Sequence, residues 1–275
     1  LNRQAELKVL VRKYAPDIDG VIAWRTQAEA RLAEIEDPRS SIDELESAAA
    51  AARADVEVAA EKLHGVRAKS ASSMATKVST ELRGLAMGDA ALDVAVSLDP
   101  AAADDRLGID VAGTRVHAGS DGADRVEFAL VAHKGATPLP IAKSASGGEL
   151  SRVMLALEVV LAAPTSGSVM VFDEVDAGVG GRAAVEIGKR LAALARAHQV
   201  IVVTHLPQVA AFADNHLVIG KSSGRGAHKS TVRTLDRDDR VAELARMLAG
   251  LGESDTGRAH AEELLQTAEN ERSSS

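Results

Sequence analysis

A run of small and apolar residues at three- and four-residue spacing constrains this chain more than any other feature. Ile42, Leu45, Ala49, Ala52, Val56, Ala59, Leu63 and Val66 recur in that rhythm. A helix gathers such positions on one face, whereas a strand, with its period of two, scatters them. The spacing is that of a heptad seam, and the remaining faces are polar and charged. It predicts a coiled-coil arm. Because many seam positions are alanine, the partner helix should lie close. The alternative is a long amphipathic helix lying on a globular core. Ser41 and Glu44 read as a capping box that starts this helix, the Ser oxygen taking a free backbone N–H and the Glu reaching back. Two shorter helices precede it, Asn2–Tyr14 and about Asp19–Glu36. The first ends at Ala15-Pro16, since proline disfavours helix at the residue before it. The second stops near Asp37-Pro38.

Near Leu92 the period changes. Leu92, Val94, Val96 and Leu98 alternate with other residues, as in a strand, and Val126, Phe128 and Leu130 do so over Arg125–Ala132. The stretch between them, Pro100 to Asp124, is rich in Gly, Asp and Ala and reads as turns or a flexible loop. After Ile141 helices alternate with short apolar strands. Helix is expected over Glu149–Ala162, about Arg182 to Ala197, Leu206–Ala213, about Asp238–Ala249 and Ser254–Ala268. Strands are expected at Val169–Phe172, Val200–Val203, His216–Gly220 and Thr231–Leu235. This order predicts an α/β lobe with a parallel sheet covered on both faces. Ligands in such sheets gather at the carboxyl ends of the strands. The expected division is a helical arm over residues 1–88, a lobe over 89–270 and a disordered tail over 271–275.

Composition narrows the choice of partner. The chain has 275 residues, 46% apolar but only 2% aromatic, so its core must be built of Ala, Val and Leu. A net charge of −8 argues against a module whose whole surface grips nucleic acid. It leaves room for a local basic stretch. Lys62, Arg67, Lys69, Lys77 and Arg83 provide one, with only Glu81 opposing them. Such a stretch could touch DNA phosphates without reading sequence, or be an ordinary solvated face. The absence of cysteine excludes disulfides and thiolate metal sites and fits a reducing compartment. No apolar run approaches the ~20 residues of a membrane span, and no signal-peptide pattern is present. The chain opens at Leu1 directly on a helical pattern, as a fragment would.

Four elements carry chemistry. Val169–Phe172 ends in Asp173 and Glu174. A carboxylate at a strand tip can hold Mg²⁺ against nucleotide phosphates, and its neighbour, pointing the other way, can polarise water as a general base. Alone, the pair could equally start a turn. Ser146, Gly147, Gly148 and Glu149 open an amphipathic helix, whose free N–H groups and dipole favour an anion. Alone, they could be an ordinary N-cap. His205 follows the strand Val200–Val203, on the same sheet edge as the acidic pair, within reach of a γ-phosphate. Asp176 begins a turn before the Gly-rich run Gly178–Gly181. In this order the four resemble the second half of the ABC-type ATPase plan.

The match is more specific than that. Ala145–Arg152, Phe172–Gly181, Thr204–Ala211, Glu243–Gly250 and Arg12–Tyr14 resemble segments of the RecN family, bacterial recombinational repair ATPases related to structural maintenance of chromosomes proteins. The family's acidic run usually reads FDEIDTGISG; here it reads FDEVDAGVGG. The resemblance implies an ABC-type head lobe preceded by an antiparallel coiled-coil arm. It implies that Asp173 holds Mg²⁺, that Glu174 is the catalytic base and that His205 senses the γ-phosphate. Ser146 and Gly148 would bind the γ-phosphate of ATP held by a second head, with Gly147 and Glu149 in the same signature, and Asp176 would sit at the head–head contact. It further implies single- or double-stranded DNA as partner, ATP and Mg²⁺ as cofactors, and a cytoplasmic, nucleoid-associated protein. Two departures, Ala15-Pro16 for a glycine and His133-Lys134 for Asn-Pro, lie outside the catalytic set.

A third departure is larger. No G-x-x-x-x-G-K-[ST] occurs in the sequence. That loop cradles phosphates with backbone N–H groups and a lysine. In the family it lies in an amino-terminal half, so the resemblance implies a carboxy-terminal piece that works with a P-loop half. Two other functions compete. An ABC transporter subunit is disfavoured by the arm and by Glu149 where transporters commonly carry Gln. A non-catalytic scaffold is disfavoured by intact Asp173, Glu174 and His205.

Overall fold

The computed structural model describes residues 2–36, 38–161, 167–222, 229–249 and 255–274. Three helices come first: α1 (Asn2–Tyr14), α2 (Ile18–Glu36) and α3 (Pro38–Gly84). Five strands follow: β1 (Ala91–Leu98), β2 (Gly108–Val111), β3 (Thr114–His117), β4 (Asp124–Val131) and β5 (Leu139–Pro140). Then come α4 (Ile141–Ser144), α5 (Gly147–Leu161), β6 (Val169–Phe172), α6 (Gly181–Leu194), β7 (Gln199–Val202) and α7 (Pro207–Ala210). The hairpin β8 (Leu217–Ser222) and β9 (Lys229–Thr234) precedes α8 (Arg237–Ala249) and α9 (Asp255–Ser274). The fold is thus mixed helix and sheet.

The chain divides into two compact units. Leu1–Leu63 with Leu98–Ala123 form the first, His64–Ser97 with Asp124–Ser275 the second. The expected boundary at residue 88 falls inside the second, because the end of α3 is core there.

In the first unit α1 and α2 form a helical hairpin. Ala15-Pro16 breaks the helix as expected, and the Asp17 carboxylate accepts the Gly20 N–H at 2.7 Å, capping α2. Tyr14 and Trp24 stack across the corner with ring centroids 4.2 Å apart. Residues 100–124, expected to be turns, contain a hairpin instead. β2 pairs antiparallel with β3, Val111 opposite Thr114. The two residues between them, Ala112 and Gly113, have φ of 50° and 79°. Positive φ at both central positions gives a turn whose twist matches that of the strands. Ile109, Val111 and Val116 bury their side chains with Ala60 of α3. Arg53 donates to the Gly108 carbonyl at 2.9 Å and holds the hairpin to the helix.

Two expectations about α3 change. The helix already runs at Pro38, so Ser41 lies inside it rather than at its cap. Proline tolerates the first helical turn, where its missing N–H costs nothing. Four of the large seam residues are also bare in this chain: Ile42, Leu45, Val56 and Val66 are 52%, 67%, 45% and 54% exposed, while Leu63 is half-buried.

The core of the second unit joins the end of α3 to α5, β6 and α6. Val78, Leu82, Val153, Leu155, Phe172, Val175 and Ile187 are buried in it. Ser79 Oγ accepts the Leu92 N–H at 3.0 Å, tying α3 to β1. Arg190 of α6 donates to Glu81 of α3 at 2.7 Å and to Glu186 at 2.6 Å. A second cluster packs α7, α8 and α9 through Phe212, Val241, Leu244, Ala261 and Leu265.

β6 and β7 pair in parallel, Phe172 opposite Val202. Met170, Val200 and Val202 pack on the core. The alternate residues do not: Val169, Val171, Ile201 and Val203 are 61%, 66%, 46% and 59% exposed. The sheet expected to be covered on both faces is covered on one, because the helices that flank it in sequence lie on that side. The tail is also different. α9 continues to Ser274, and the Ser273 hydroxyl donates to the Glu269 carbonyl at 2.9 Å.

These burials set a comparison. Leu82 is 0% exposed and Leu45 is 67% exposed. Leu82→Ala should cost about 2–5 kcal/mol, whereas Leu45→Ala should change the stability of this chain by less than about 0.5 kcal/mol. Urea unfolding of the two variants measures both, and equal losses would contradict the packing.

Candidate functional site

Ser146 is the N-cap of α5. Its carbonyl accepts the Leu150 N–H at 2.8 Å. Its own N–H and hydroxyl donate to one Glu149 carboxylate oxygen at 2.8 and 3.0 Å. Its hydroxyl oxygen in turn accepts the Glu149 N–H at 3.4 Å. This is the reciprocal capping box. The Ser146 N–H, and then its hydroxyl, hold the Glu149 carboxyl below the ordinary carboxylate range.

The two glycines let this turn lie against the acidic strand tip. A Cβ on Gly148 would come within 2.8 Å of the Ala177 Cβ and 2.9 Å of the Glu174 carbonyl oxygen. One on Gly147 would come within 2.7 Å of a Glu174 carboxylate oxygen. The next residues of α5 are bonded to the same turn. Ser151 donates its hydroxyl to the Asp173 carbonyl at 2.6 Å. Arg152, 6% exposed, donates from one Nη to the Ala177 carbonyl at 2.9 Å and to that of Val175 at 3.4 Å.

Asp173 and Glu174 leave the end of β6 exposed to solvent. The Asp173 carboxylate accepts the Glu174 N–H at 2.9 Å. Glu174 has φ of 55°, in the left-handed region that non-glycine residues seldom occupy. Such backbone outliers cluster where surrounding structure over-determines them.

β7 runs beside β6, and the Val203 N–H extends their ladder to the Phe172 carbonyl at 3.0 Å. That brings Thr204 and His205 to the same sheet edge as Asp173 and Glu174. Asp176 joins the two tips. Its side chain is 2% exposed, and one carboxylate oxygen accepts the Thr204 hydroxyl in a short bond and the His205 N–H at 3.1 Å. The His205 Nδ1 lies 3.2 Å from the same oxygen, while its side chain is 71% exposed. The Asp176 carboxylate is therefore engaged within the lobe.

Sequence reading identified the signature turn, the acidic pair, Asp176 and His205, and the structure brings all of them to one end of the lobe. The sequence reading places Ser151, Arg152 and Thr204 inside the motif segments but gives them no role. The signal for Arg152 was present: a cation beside Val153 in an otherwise apolar stretch of helix, where no solvated stripe would place it.

The basic stretch is less uniform than the sequence suggests. Arg67 donates to Asp124 at 3.1 Å, and His64 lies 2.5 Å from the other oxygen of that carboxylate, whose side chain is 1% exposed. Arg67 is thus held by an internal carboxylate. Lys62, Lys69, Lys77 and Arg83 are exposed. Lys69 and Lys77 flank a shallow groove on α3 floored by Ala68, Ser72, Ser73 and Thr76.

The chain is 56% identical over 275 residues to the DNA repair protein RecN of Mycobacterium tuberculosis, a match covering 98% of this chain and 46% of that protein. It is 34% identical over 268 residues to DNA repair protein RecN of Bacillus subtilis, covering 98% of this chain and 46% of that one. For DNA repair protein RecN of Deinococcus radiodurans the identity is 36% over 265 residues, with 96% and 43% covered. The chain thus spans about half the length of the curated relatives it matches. Among solved structures it is similar to the Smc head domain with coiled coil and joint of Pyrococcus yayanosii, with a TM-score of 0.41 and 18% identity over 82% of this chain and 36% of that one. The Smc head domain with extended coiled coil of Pyrococcus furiosus gives a TM-score of 0.41 and 16% identity over 89% and 53%. No protein-family model matches the chain.

The closeness of the two turns can be tested sterically. A methyl group at Gly148 meets backbone on one side and the Ala177 Cβ on the other, neither of which is a flexible side-chain end. Gly148→Ala should destabilise the chain by about 1–3 kcal/mol. Urea unfolding checks it; an unchanged midpoint would mean that the signature turn does not lie against the 174–177 turn.

Proposed function

The chain belongs to the RecN family of DNA repair proteins, and on that premise we propose that it is the part of an ATP-hydrolysing repair machine that carries two half-sites. One observation carries this reading: Asp173, Glu174, Asp176, Thr204 and His205 converge at the neighbouring ends of two parallel strands. The work of the complete protein would be recombinational repair of DNA double-strand breaks, carried out on chromosomal DNA in the cytoplasm.

In the first half-site Glu174 would polarise the water that attacks the γ-phosphate of ATP. His205 would contact that phosphate. With Nδ1 turned to Asp176, Nε2 is the nitrogen available for it. Asp173 would hold Mg²⁺, whose charge offsets that of the phosphate oxygens. Among the described residues no group of three or more His, Cys, Asp or Glu side chains could hold a metal by itself. That suits Mg²⁺, which takes one or two carboxylates together with waters and substrate phosphates. The backbone N–H cradle for this ATP would come from a P-loop half outside these residues. The apolar face of β6 and β7 supports a docking place for such a half: Val169, Val171, Ile201 and Val203 lie side by side on it and are exposed.

In the second half-site Ser146, Gly147 and Gly148 at the start of α5 would receive the γ-phosphate of ATP held by a second head, in a homodimer. Glu149 fixes the hydroxyl and N–H of Ser146 and so shapes the turn for that phosphate. DNA, single- or double-stranded, would lie along the exposed cations of α3. Lys69 and Lys77, with hydroxyl side chains between them, are the strongest candidates, with Lys62 and Arg83 at either side in sequence.

In the complete protein Glu174→Gln should lower the rate of ATP hydrolysis by about 10²–10⁴-fold, the usual cost of losing a general base, while ATP binding persists. The 275-residue chain alone should neither bind ATP tightly nor hydrolyse it, and adding the P-loop half should restore turnover. Hydrolysis by the isolated chain at the rate of the complete protein would sink the proposal.

Charge reversal tests the DNA path. Lys69→Glu with Lys77→Glu should weaken DNA binding and reduce its logarithmic salt slope by about one per phosphate contact removed. Binding isotherms at several salt concentrations measure this, and an unchanged slope places the DNA elsewhere.

A further inference from the structure

The side chain of His205 is mostly solvent-exposed, and among the described residues its one polar partner is Asp176. Its place is therefore set by its backbone. The backbone is fixed on the amino-terminal side by Asp176, which takes the His205 N–H and the Thr204 hydroxyl. The question is what fixes it on the other side.

After His205 the chain makes the single turn α7 and then runs to β8. The end of that turn presents several carbonyls that a continuing helix would pair; of these, that of Ala210 takes the Ala213 N–H at 3.2 Å. Two arginines from the last two helices take them. Arg240 of α8 donates from one Nη to the carbonyls of Ala210, Ala211 and Ala213 at 3.0, 2.9 and 2.5 Å. Arg272, in the last turn of α9, donates to the Phe212 carbonyl at 3.4 Å and to the Asp214 carboxylate at 2.6 Å. Cations suit the negative end of a helical turn. The Nε atoms of both arginines are buried with no hydrogen bond among the described residues. Neither guanidinium is thus a freely solvated surface charge.

The same end of α9 is anchored elsewhere. Glu269 accepts from Arg237 of α8 at 2.7 Å, and Glu271 lies 2.7 Å from Lys189 of α6. Phe212 itself is buried against α6, where a Cβ on Gly188 would come within 2.5 Å of its ring. The segment from His205 to Asp214 is therefore clamped at its far end by groups that are themselves tied down.

We propose that Arg240 and Arg272 are positioning residues for His205, and that the last turn of α9 is the part of the lobe that locks the histidine segment in place. The proposal rests on the ATPase reading above. Arg272 is the better residue to change, since it lies at the edge of the clamp and Arg240 at its centre.

The experiment uses the complete protein with Arg272→Ala and Arg272→Lys. Two quantities are read: amide hydrogen exchange of residues 205–214, and kcat and KM for ATP hydrolysis. Arg272→Ala should speed exchange in that segment, leaving α5 and β6 unchanged. It should lower kcat by about tenfold with KM within about twofold, because misplacing a positioned group affects turnover more than binding. Arg272→Lys, which keeps a cation beside Asp214, should recover most of kcat. A uniform rise in exchange across the lobe would mean that Arg272 merely stabilises the fold. Unchanged exchange, or faster exchange with unchanged kcat, overturns the proposal. Failure of the ATPase reading shows separately: wild-type turnover would then survive Glu174→Gln. In that case His205 has no catalytic part to be positioned for, and the proposal falls with it.

Discussion

A carboxylate buried as deeply as Asp176 must find hydrogen-bond donors, since an ionised group left unpaired in the interior is costly. It finds them in the Thr204 hydroxyl and the His205 N–H. From the opposite side Arg152, also buried, reaches the carbonyls on either side of Asp176. The turn 173–177 is thus held by α5 and in turn holds the histidine segment. Remove that arrangement and the glycine turn, the acidic strand tip and the histidine become three independent loop features. With it they form one polar network, in which Arg152 bonds through one Nη while its buried Nε has no hydrogen bond among the described residues.

The parts legible in the sequence are those decided locally. The span of β6 agrees with expectation because a short apolar run is bounded by a loop and two carboxylates. α1 ends where Pro16 forbids helix at the residue before it. Local signals also mislead where two readings share one pattern. Ser41 and Ser146 both stand three residues before a glutamate. Only Ser146 follows non-helical backbone and so becomes a cap, since Pro38 has already opened the helix around Ser41. The composition around the β2–β3 hairpin reads as loop, although Ile109 and Val111 alternate and the Ala112-Gly113 pair suits a tight turn. Its stability comes from burial with Ala60, a residue some fifty positions earlier.

For the candidate site, the sequence located the motifs but not the direction in which side chains point. Arg67 reads as one more exposed cation among five. It is in fact held by Asp124, 57 residues away, together with His64. Asp176 reads as a surface turn-former and is buried. The carboxy-terminal residues 271–274 read as tail and are helical, because Glu271 and Arg272 find partners on α6 and beside α7. In each case the deciding partner lies far off in sequence, where periodicity and charge counting do not reach.

The two half-sites proposed here are closer to each other than their separate roles imply. A Cβ on Gly147 would come within 2.7 Å of a Glu174 carboxylate oxygen, so the flexible end of Glu174 lies against the glycine turn. The Glu149 carboxylate is bonded to Ser146 at the same turn. Two carboxylates therefore stand at the positive end of the α5 dipole, the end that favours an anion. A phosphate arriving from a second head would approach the same N–H groups and meet both negative charges. Glu149 is fixed there by the cap it makes. The Glu174 carboxylate has no hydrogen bond among the described residues, and its backbone lies in the left-handed region. Under the proposed reading, the group that must yield to an incoming phosphate is the general base of the lobe's own site, so occupancy of one half-site and the position of Glu174 in the other are electrostatically linked.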